Sequence, residues 1–427
     1  MQMLMFGMLL VAACMPSGEA AEGMQRVLDD ALSLQPWLVK TRRDLHRIPE
    51  LGFKEHKTSE YIQSFLKENN IKYESGFATT GIIATIGSGK PTILLRTDID
   101  ALPIEEPEGF EARSKHAGVM HACGHDTHMA MLLGAAKLLA KADADAGGLK
   151  GTVKLVFQPF EEGGAGADIM IKTGALDGVD AAFGMHVMPH LGTGTVSTRA
   201  GTIMAGALSF HVTVAGRGGH AALPHLNIDP SPAAAAAISA LQTIVSRETS
   251  PLTSGVVSVT FIRGGDAYNV IPDAVEFGGT IRALNHEHLL FMQRRVEGVV
   301  AGVVAGYGCK GSVDWRLEDQ PLYPPVVNDA ATVAFTNAVA TELFGDGDIK
   351  EAEPLMAGED FSFFCLKFPC TFAFLGIRNE TAGSVHNLHS PKFTMDESVL
   401  HRGTALHTGW ALRYLSSHAA TTAKTEL

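Results

Sequence analysis

"GIIATIGSGKPTILLRTDIDALP", Gly81 to Pro103, holds two apolar runs separated by a glycine- and proline-marked break. Gly81-Ile-Ile-Ala-Thr-Ile and Thr92-Ile-Leu-Leu-Arg are too short for helices and too apolar for a loop, so both read as strands. The second runs into Asp98-Ile-Asp-Ala-Leu-Pro, and Val153 to Gln158 is another apolar strand, ending at Pro159. Helical patterns lie beside them. Val27 to Ile48 places Val27, Leu28, Ala31, Leu34 and Leu38 at helical spacing, Thr58 to Glu68 reads as a second helix, and the chain closes with a third, His401 to Leu415. Strands alternating with helices predict an α/β layer with a mixed, mostly parallel sheet. Functional residues of such sheets gather at the carboxyl ends of strands.

The texture changes near Ala200. Ala207 to Ala215, Val256 to Arg263 and Ala274 to Arg282 alternate apolar with polar residues, and Ser231 to Arg247 and Leu289 to Ala305 read as helices. This predicts an α+β satellite with an antiparallel sheet at 200–313, inserted between two parts of a catalytic domain at 25–199 and 314–427. The chain enters and leaves the satellite once each, which suits a unit that dimerises or closes as a lid.

Of 427 residues, 46 are acidic and 34 basic, a formal charge of -12. So acidic a surface repels phosphate backbones, which argues against a nucleic-acid partner. No apolar run reaches the roughly 18–20 residues that span a bilayer, so no membrane span is expected. The cysteines, 5 in all, are too few for a disulfide scaffold in a chain this long. Leu4 to Cys14 is a short apolar segment followed by small residues, which predicts a signal peptide over 1–21. Lys424-Thr-Glu-Leu427 differs by one residue from a KDEL-type retention signal, and Asn379-Glu-Thr381 is a glycosylation sequon. Together they predict the lumen of the endoplasmic reticulum.

Several familiar motifs are absent. Gly87-Ser-Gly-Lys90 lacks the hydroxyl residue and first glycine of a P-loop, and no G-x-S-x-G elbow occurs. His286-Glu287-His288 is not H-E-x-x-H and reads as a polar turn before a helix. What remains is a scattered set of donors. His121-Ala-Cys123-Gly-His125-Asp126-Thr-His128 stands just ahead of an apolar run, and thiolate and neutral imidazole are good zinc-type ligands. Glu161 and Glu162 follow the apolar strand that ends at Pro159. Two carboxylates there are awkward unless something positive binds them. Their neighbouring side chains point apart, so one can ligate a metal while the other faces its water. His186 follows Ala181-Ala-Phe183, His389 sits in His386-Asn-Leu-His-Ser-Pro391, and Asp98 and Asp100 end a strand. A carboxylate at Asp98 or Asp100 suits holding a ligand histidine in its tautomer.

These blocks, in this order, resemble the amidohydrolase family of hippurate hydrolase and the plant indole-3-acetyl-amino-acid hydrolases. The matching pieces are Arg96-Thr-Asp-Ile-Asp-Ala-Leu-Pro103, His121-Ala-Cys-Gly-His-Asp126, Phe157-Gln-Pro-Phe-Glu-Glu-Gly-Gly-Ala-Gly166, Gly219-His-Ala-Ala-Leu-Pro224, Asn269-Val-Ile-Pro-Asp273, Gly358-Glu-Asp-Phe361 and His389-Ser-Pro391. The resemblance covers about residue 27 to residue 415, and the chain's two ends look like the plant branch.

What the resemblance implies is an enzyme that holds two divalent metal ions, manganese or zinc, through Cys123, His125, Glu162, His186 and His389. Glu161 is implied as the catalytic carboxylate, Asp98 as a support for the metal site, and His220, Asn269 and Arg282 as substrate contacts, the histidine often across a homodimer. The implied substrate is a small N-acyl amino acid, an auxin conjugate, cleaved to a free acid and an amino acid. Alternatives are an aminoacylase, hippurate hydrolase or dipeptidase of the same clan, or a luminal binding protein that keeps only the fold. Phe160 replaces the family's usual alanine, which is expected to narrow the pocket.

Overall fold

The computed structural model describes residues 18–422, with side chains for 22–419, so the expected signal peptide and the Lys424–Leu427 end lie outside the described residues. The catalytic half begins with α1 (Gly18–Ser33), α2 (Gln35–His46) and α3 (His56–Glu68), followed by β1 (Lys72–Phe77) and β2 (Gly81–Asp98). Then come α4 (His125–Asp145), β3 (Lys150–Gln158), α5 (Gly166–Lys172), β4 (Ala181–Gly192) and β5 (Val196–Thr198). The single helix expected over Val27–Ile48 is two helices. Proline stands at the start of α2, at Pro36, where its missing N–H and fixed φ favour a new helix over continuing the old one.

The two strands expected at Gly81 and Thr92 are one long element that wraps around β3. Ile82 lies opposite Phe157 and Gly87 opposite Thr152, so the first half runs against β3; Thr92 lies opposite Thr152 and Asp98 opposite Gln158, so the second half runs with it. The second half also pairs in parallel with β4, which pairs in parallel with β15 (Cys370–Arg378). The ends of the second half of β2, of β3 and of β4 therefore open on the same side of the sheet. Both faces of the sheet are covered: Ile93 and Leu95 pack into one apolar cluster with α4 and α10 (Leu400–Thr422), and Leu94 packs into another with Ala182 and Phe372. That is why these strands read as continuous apolar runs.

The chain leaves through β6 (Gly201–Met204) into a second unit: β7 (Gly206–Ala215), β8 (Gly219–His220), α6 (Pro230–Thr243), β9 (Gly255–Arg263), β10 (Val270–Ile271), β11 (Ala274–Ala283), α7 (His286–Gly306) and β12 (Lys310–Asp314). Its sheet runs β12-β7-β11-β9, all antiparallel, over an apolar core of its own that takes in α6 and α7. His286 opens α7 itself rather than a turn before it, because Asn285 accepts the His288 N–H at 2.9 Å and caps the helix. The chain returns through β13 (Val326–Asn328), which pairs with β6, so the outgoing and incoming segments lie side by side. It finishes with α8 (Ala330–Phe344), β14 (Ile349–Glu351), α9 (Ser362–Lys367), β15 and α10. Cys365 and Cys370 form a disulfide between α9 and β15.

Candidate active site

The site lies where the strand ends of the catalytic sheet meet the satellite unit. Cys123 precedes α4 and His125 is the first residue of that helix. Gly124 between them has φ +92, and a Cβ there would fall 2.5 Å from Val187 Cγ2, so glycine is needed for the turn that brings Cys123 against β4. His186 lies on β4, and Glu161 and Glu162 follow β3. Cys123, His125 and His186 have donor atoms mutually within 4.8 Å, as do Cys123, Glu162 and His389, and also His125, Glu161 and Glu162. The overlapping triads bring together all five expected ligands and Glu161.

The histidine tautomers follow from backbone contacts. His125 Nδ1 donates to the Asp100 carbonyl at 2.8 Å, and His186 Nδ1 to the Val187 carbonyl at 2.7 Å. Their Nε2 atoms are left as acceptors. His186 Nε2 lies 3.3 Å from Cys123 Sγ, and His125 Nε2 makes no hydrogen bond, its near carboxylate oxygen being Asp98 Oδ2 at 3.7 Å. His389 Nε2 sits 3.0 Å from Glu162 Oε1.

The electrostatics of the bare cluster are unfavourable. Burial, then Glu162 and Glu161, pushes the Cys123 thiol well up. Burial, then Glu359 and Glu162, raises the Glu161 carboxyl. Burial and His128 depress His186. Burial opposes charge on His125, but Asp98 and Asp100 outweigh it and push that ring up to about 10. Bound divalent cations would reverse this balance, stabilising thiolate, carboxylate and neutral imidazole together. An orphaned imidazole nitrogen, a buried thiol and converging carboxylates thus fit a metal centre.

Three features were not anticipated. Asp98 does not set the tautomer of His125. Its Oδ1 accepts from His128 Nδ1 at 2.7 Å and its Oδ2 from Arg96 Nη1 at 2.8 Å, which occupies it. His128 stands three residues after His125 on one helix face, a spacing that could have revealed it. Asp100 instead carries the loop: its Oδ1 accepts the Glu161 N–H at 3.1 Å and its Oδ2 the Glu162 N–H at 3.0 Å. Tyr323, on the returning segment, donates its hydroxyl to the Glu161 carbonyl at 2.7 Å, a contact no local pattern signals.

A cavity of about 600 Å³ opens over the donors, between Cys123, Glu161 and His186 on one side and Ser209, Thr280 and Arg282 of the satellite sheet on the other. Arg282 is half-buried and has no carboxylate or hydrogen-bond acceptor among the described residues. Burial lowers the pKa of its guanidinium. His220 and Asn269 do not line the cavity of their own chain. Both are exposed, His220 on β8 and Asn269 just before β10, where the Ala221 N–H donates to the Asn269 carbonyl at 3.0 Å. Phe160 is absent from the cavity wall too. Its backbone has φ +45 and its ring packs edge-on to Phe53, at 4.8 Å between centroids, so the narrowing expected from this residue does not occur.

The family model for "Peptidase family M20/M25/M40" matches residues 94–413. IAA-amino acid hydrolase ILR1-like 4 of Arabidopsis thaliana is 43% identical over 387 residues, covering 90% of this chain and 87% of the relative. N-acetyl-L-cysteine deacetylase of Bacillus subtilis is 41% identical over 388 residues, covering 90% of each. Among solved structures, the Bacillus subtilis YXEP protein, described as a dinuclear metal binding peptidase from the M20 family, matches with a TM-score of 0.76 at 36% identity, over 90% of this chain and 99% of that one. The chain belongs to the peptidase family M20/M25/M40, and it is a hydrolase of amide bonds.

Proposed function

We propose that the chain hydrolyses N-acyl amino acids, with indole-3-acetyl-amino acids as the preferred class, to a free acid and an amino acid. The carrying observation is the unpaired Arg282 facing Glu161 and the donor cluster across one cavity. A planar guanidinium without an acid of its own suits the free carboxylate of an amino-acid product, held by two parallel hydrogen bonds. Met188, Met204, Leu355, Met356 and Phe374 give the same cavity an apolar, thioether-rich wall, which suits a flat aromatic acyl group.

Cys123, His125, Glu162, His186 and His389 would hold two divalent ions, manganese or zinc. When bound, such ions lower the pKa of a water and polarise an amide carbonyl. The chain's own part is positional and acid–base. Arg282 anchors the substrate carboxylate. Asp100 holds the backbone of both glutamates, so that Glu162 faces His389 while Glu161 is left to take the proton of the attacking water. The same carboxyl, once protonated, hands that proton to the leaving nitrogen.

The exposed position of His220 and Asn269 supports a homodimer in which these residues complete the partner's site. The apolar N-terminal segment, the sequon and the KTEL end support the lumen of the endoplasmic reticulum, and the Cys365–Cys370 disulfide suits that oxidising compartment.

The test is turnover of indole-3-acetyl-, benzoyl- and acetyl-amino acids and of dipeptides, each with added manganese or zinc. Preference for the indole series supports the proposal. A preference for acetyl or benzoyl conjugates or dipeptides replaces the acyl group with that of the matching alternative. Binding without turnover of any substrate would refute hydrolysis.

A further inference from the structure

Tyr323 belongs to neither the catalytic sheet nor the satellite sheet. It lies on the segment by which the chain returns from β12 to β13, and its side chain is 7% exposed. Its hydroxyl is a three-way junction in the loop that carries the paired glutamates. It donates to the Glu161 carbonyl at 2.7 Å and accepts the N–H of Gly163 at 3.1 Å and of Ala165 at 3.0 Å. Its backbone is tied to the other crossing segment: the Tyr323 N–H donates to the Ala207 carbonyl at 3.0 Å and the Ala207 N–H to the Tyr323 carbonyl at 2.9 Å.

Ala207 leads onward to the substrate anchor. In the β7–β11 ladder it lies directly opposite Arg282. The two are held close from the catalytic side as well, since a Cβ on Gly358 would stand 3.0 Å from Arg282 Nη1 and 3.1 Å from Ala207 Cβ. One residue therefore touches the backbone of Glu161 with its side chain and the strand beside Arg282 with its main chain.

We propose that Tyr323 is a positioning residue that sets the distance between the general base and the substrate anchor. It does so by coupling the Glu161–Ala165 loop to the base of the satellite sheet. The satellite could otherwise shift on its two crossing segments without moving Glu161. With the hydroxyl in place, a substrate seated on Arg282 finds the Glu161 carboxyl at a fixed offset, and misplacement by an ångström can cost about a hundredfold in rate. This inference rests on the reading of Glu161 as the proton acceptor.

The test is Tyr323→Phe, which keeps the ring and removes all three hydrogen bonds, together with Glu161→Gln and the double variant. We expect kcat of Tyr323→Phe to fall ten- to a hundredfold, with KM within about twofold and metal per chain unchanged, because Arg282 and the donors are untouched. In the Glu161→Gln background the same change should cost less than about threefold, since its effect runs through a group already disabled. A KM rise at constant kcat, loss of metal, or full additivity overturns the proposal. If Glu161→Gln is inactive and Tyr323→Phe is not, this inference fails alone; if Glu161→Gln stays active, the reading beneath it fails. A measurement on the unaltered protein guards against a variant that does not fold. Amide exchange at Gly163 and Ala165 should be slowed well below that of free loop amides, and unprotected exchange there would equally overturn it.

Discussion

His128 donates its Nδ1–H to Asp98 Oδ1 at 2.7 Å and accepts the Val187 N–H on Nε2 at 2.9 Å, so this ring is a neutral strut between β2 and β4. Asp98 also receives Arg96, whose guanidinium reaches Asp360 and Glu359 at 3.0 Å. The floor of the site is thus one buried, charged lattice. Removing Asp98 leaves His128 and Arg96 short of a partner in a dry interior. Asp98→Ala should lower unfolding free energy by about 3–5 kcal/mol, the usual cost of breaking a buried charged pair. Denaturant titration of the metal-free protein checks this, and an unchanged midpoint would remove Asp98 from the lattice.

Glu161 and Glu162 are neighbours of identical chemistry that should fail differently. Glu162→Gln removes a charged group facing His389 and should lower metal per chain, with activity following. Glu161→Gln should keep metal while kcat falls by roughly 10²–10⁴, the usual share of general acid–base catalysis. Side-by-side metal analysis and kcat decide it, and the opposite pattern would reverse the two roles.

Arg282→Ala should lower kcat/KM for N-acyl amino acids by about 10- to 100-fold, the range of a charge-assisted hydrogen bond worth about 1.5–3 kcal/mol. The loss should fall mainly on KM. The wild type should discriminate against the amide of the same conjugate, and the variant should not. Equal losses on acid and amide would mean that Arg282 does not read the carboxylate.

Glu55 supplies a pH dependence of stability. Its Oε1 accepts the Phe160 N–H at 3.0 Å and its Oε2 the Thr80 hydroxyl at 2.6 Å, yet burial raises its pKa from 4.5 to about 7. Between those values the folded chain binds more protons than the unfolded one. Stability from this group is therefore greatest below the lower value and declines as pH rises toward the upper one, by at most about 1.4 kcal/mol per pH unit. Glu55→Gln should flatten that slope in denaturant titrations; an unaltered slope would assign it to other groups.

Deleting Lys424 to Leu427 should increase secretion, and glycosidase treatment of the native protein should raise its gel mobility. The second outcome needs glycan transfer before folding, because the Asn379 side-chain nitrogen donates to Asp396 Oδ2 at 2.7 Å in the folded chain. Unchanged secretion counts against the retention signal, and unchanged mobility against the sequon.

Local chemistry made much of this protein legible from its residues. Apolar runs bounded by glycine and proline announced β2 and β3, and thiol, imidazole and paired carboxylates announced a metal centre. Alternation announced the satellite sheet. These are properties of short stretches, set by side-chain type and period. Direction and long-range partnership were not legible. That β2 wraps β3, that Asp98 serves His128 while the Asp100 carbonyl holds His125, and that Phe160 turns toward Phe53 depend on strand register and on which neighbours have room. The same holds for Tyr323 and Glu161, and for Arg282 facing a cluster carried by other strands. Such contacts join distant segments, and the identity of one partner does not name the other. Only closing the sheet, and laying the two crossing segments side by side, brings them within hydrogen-bond reach.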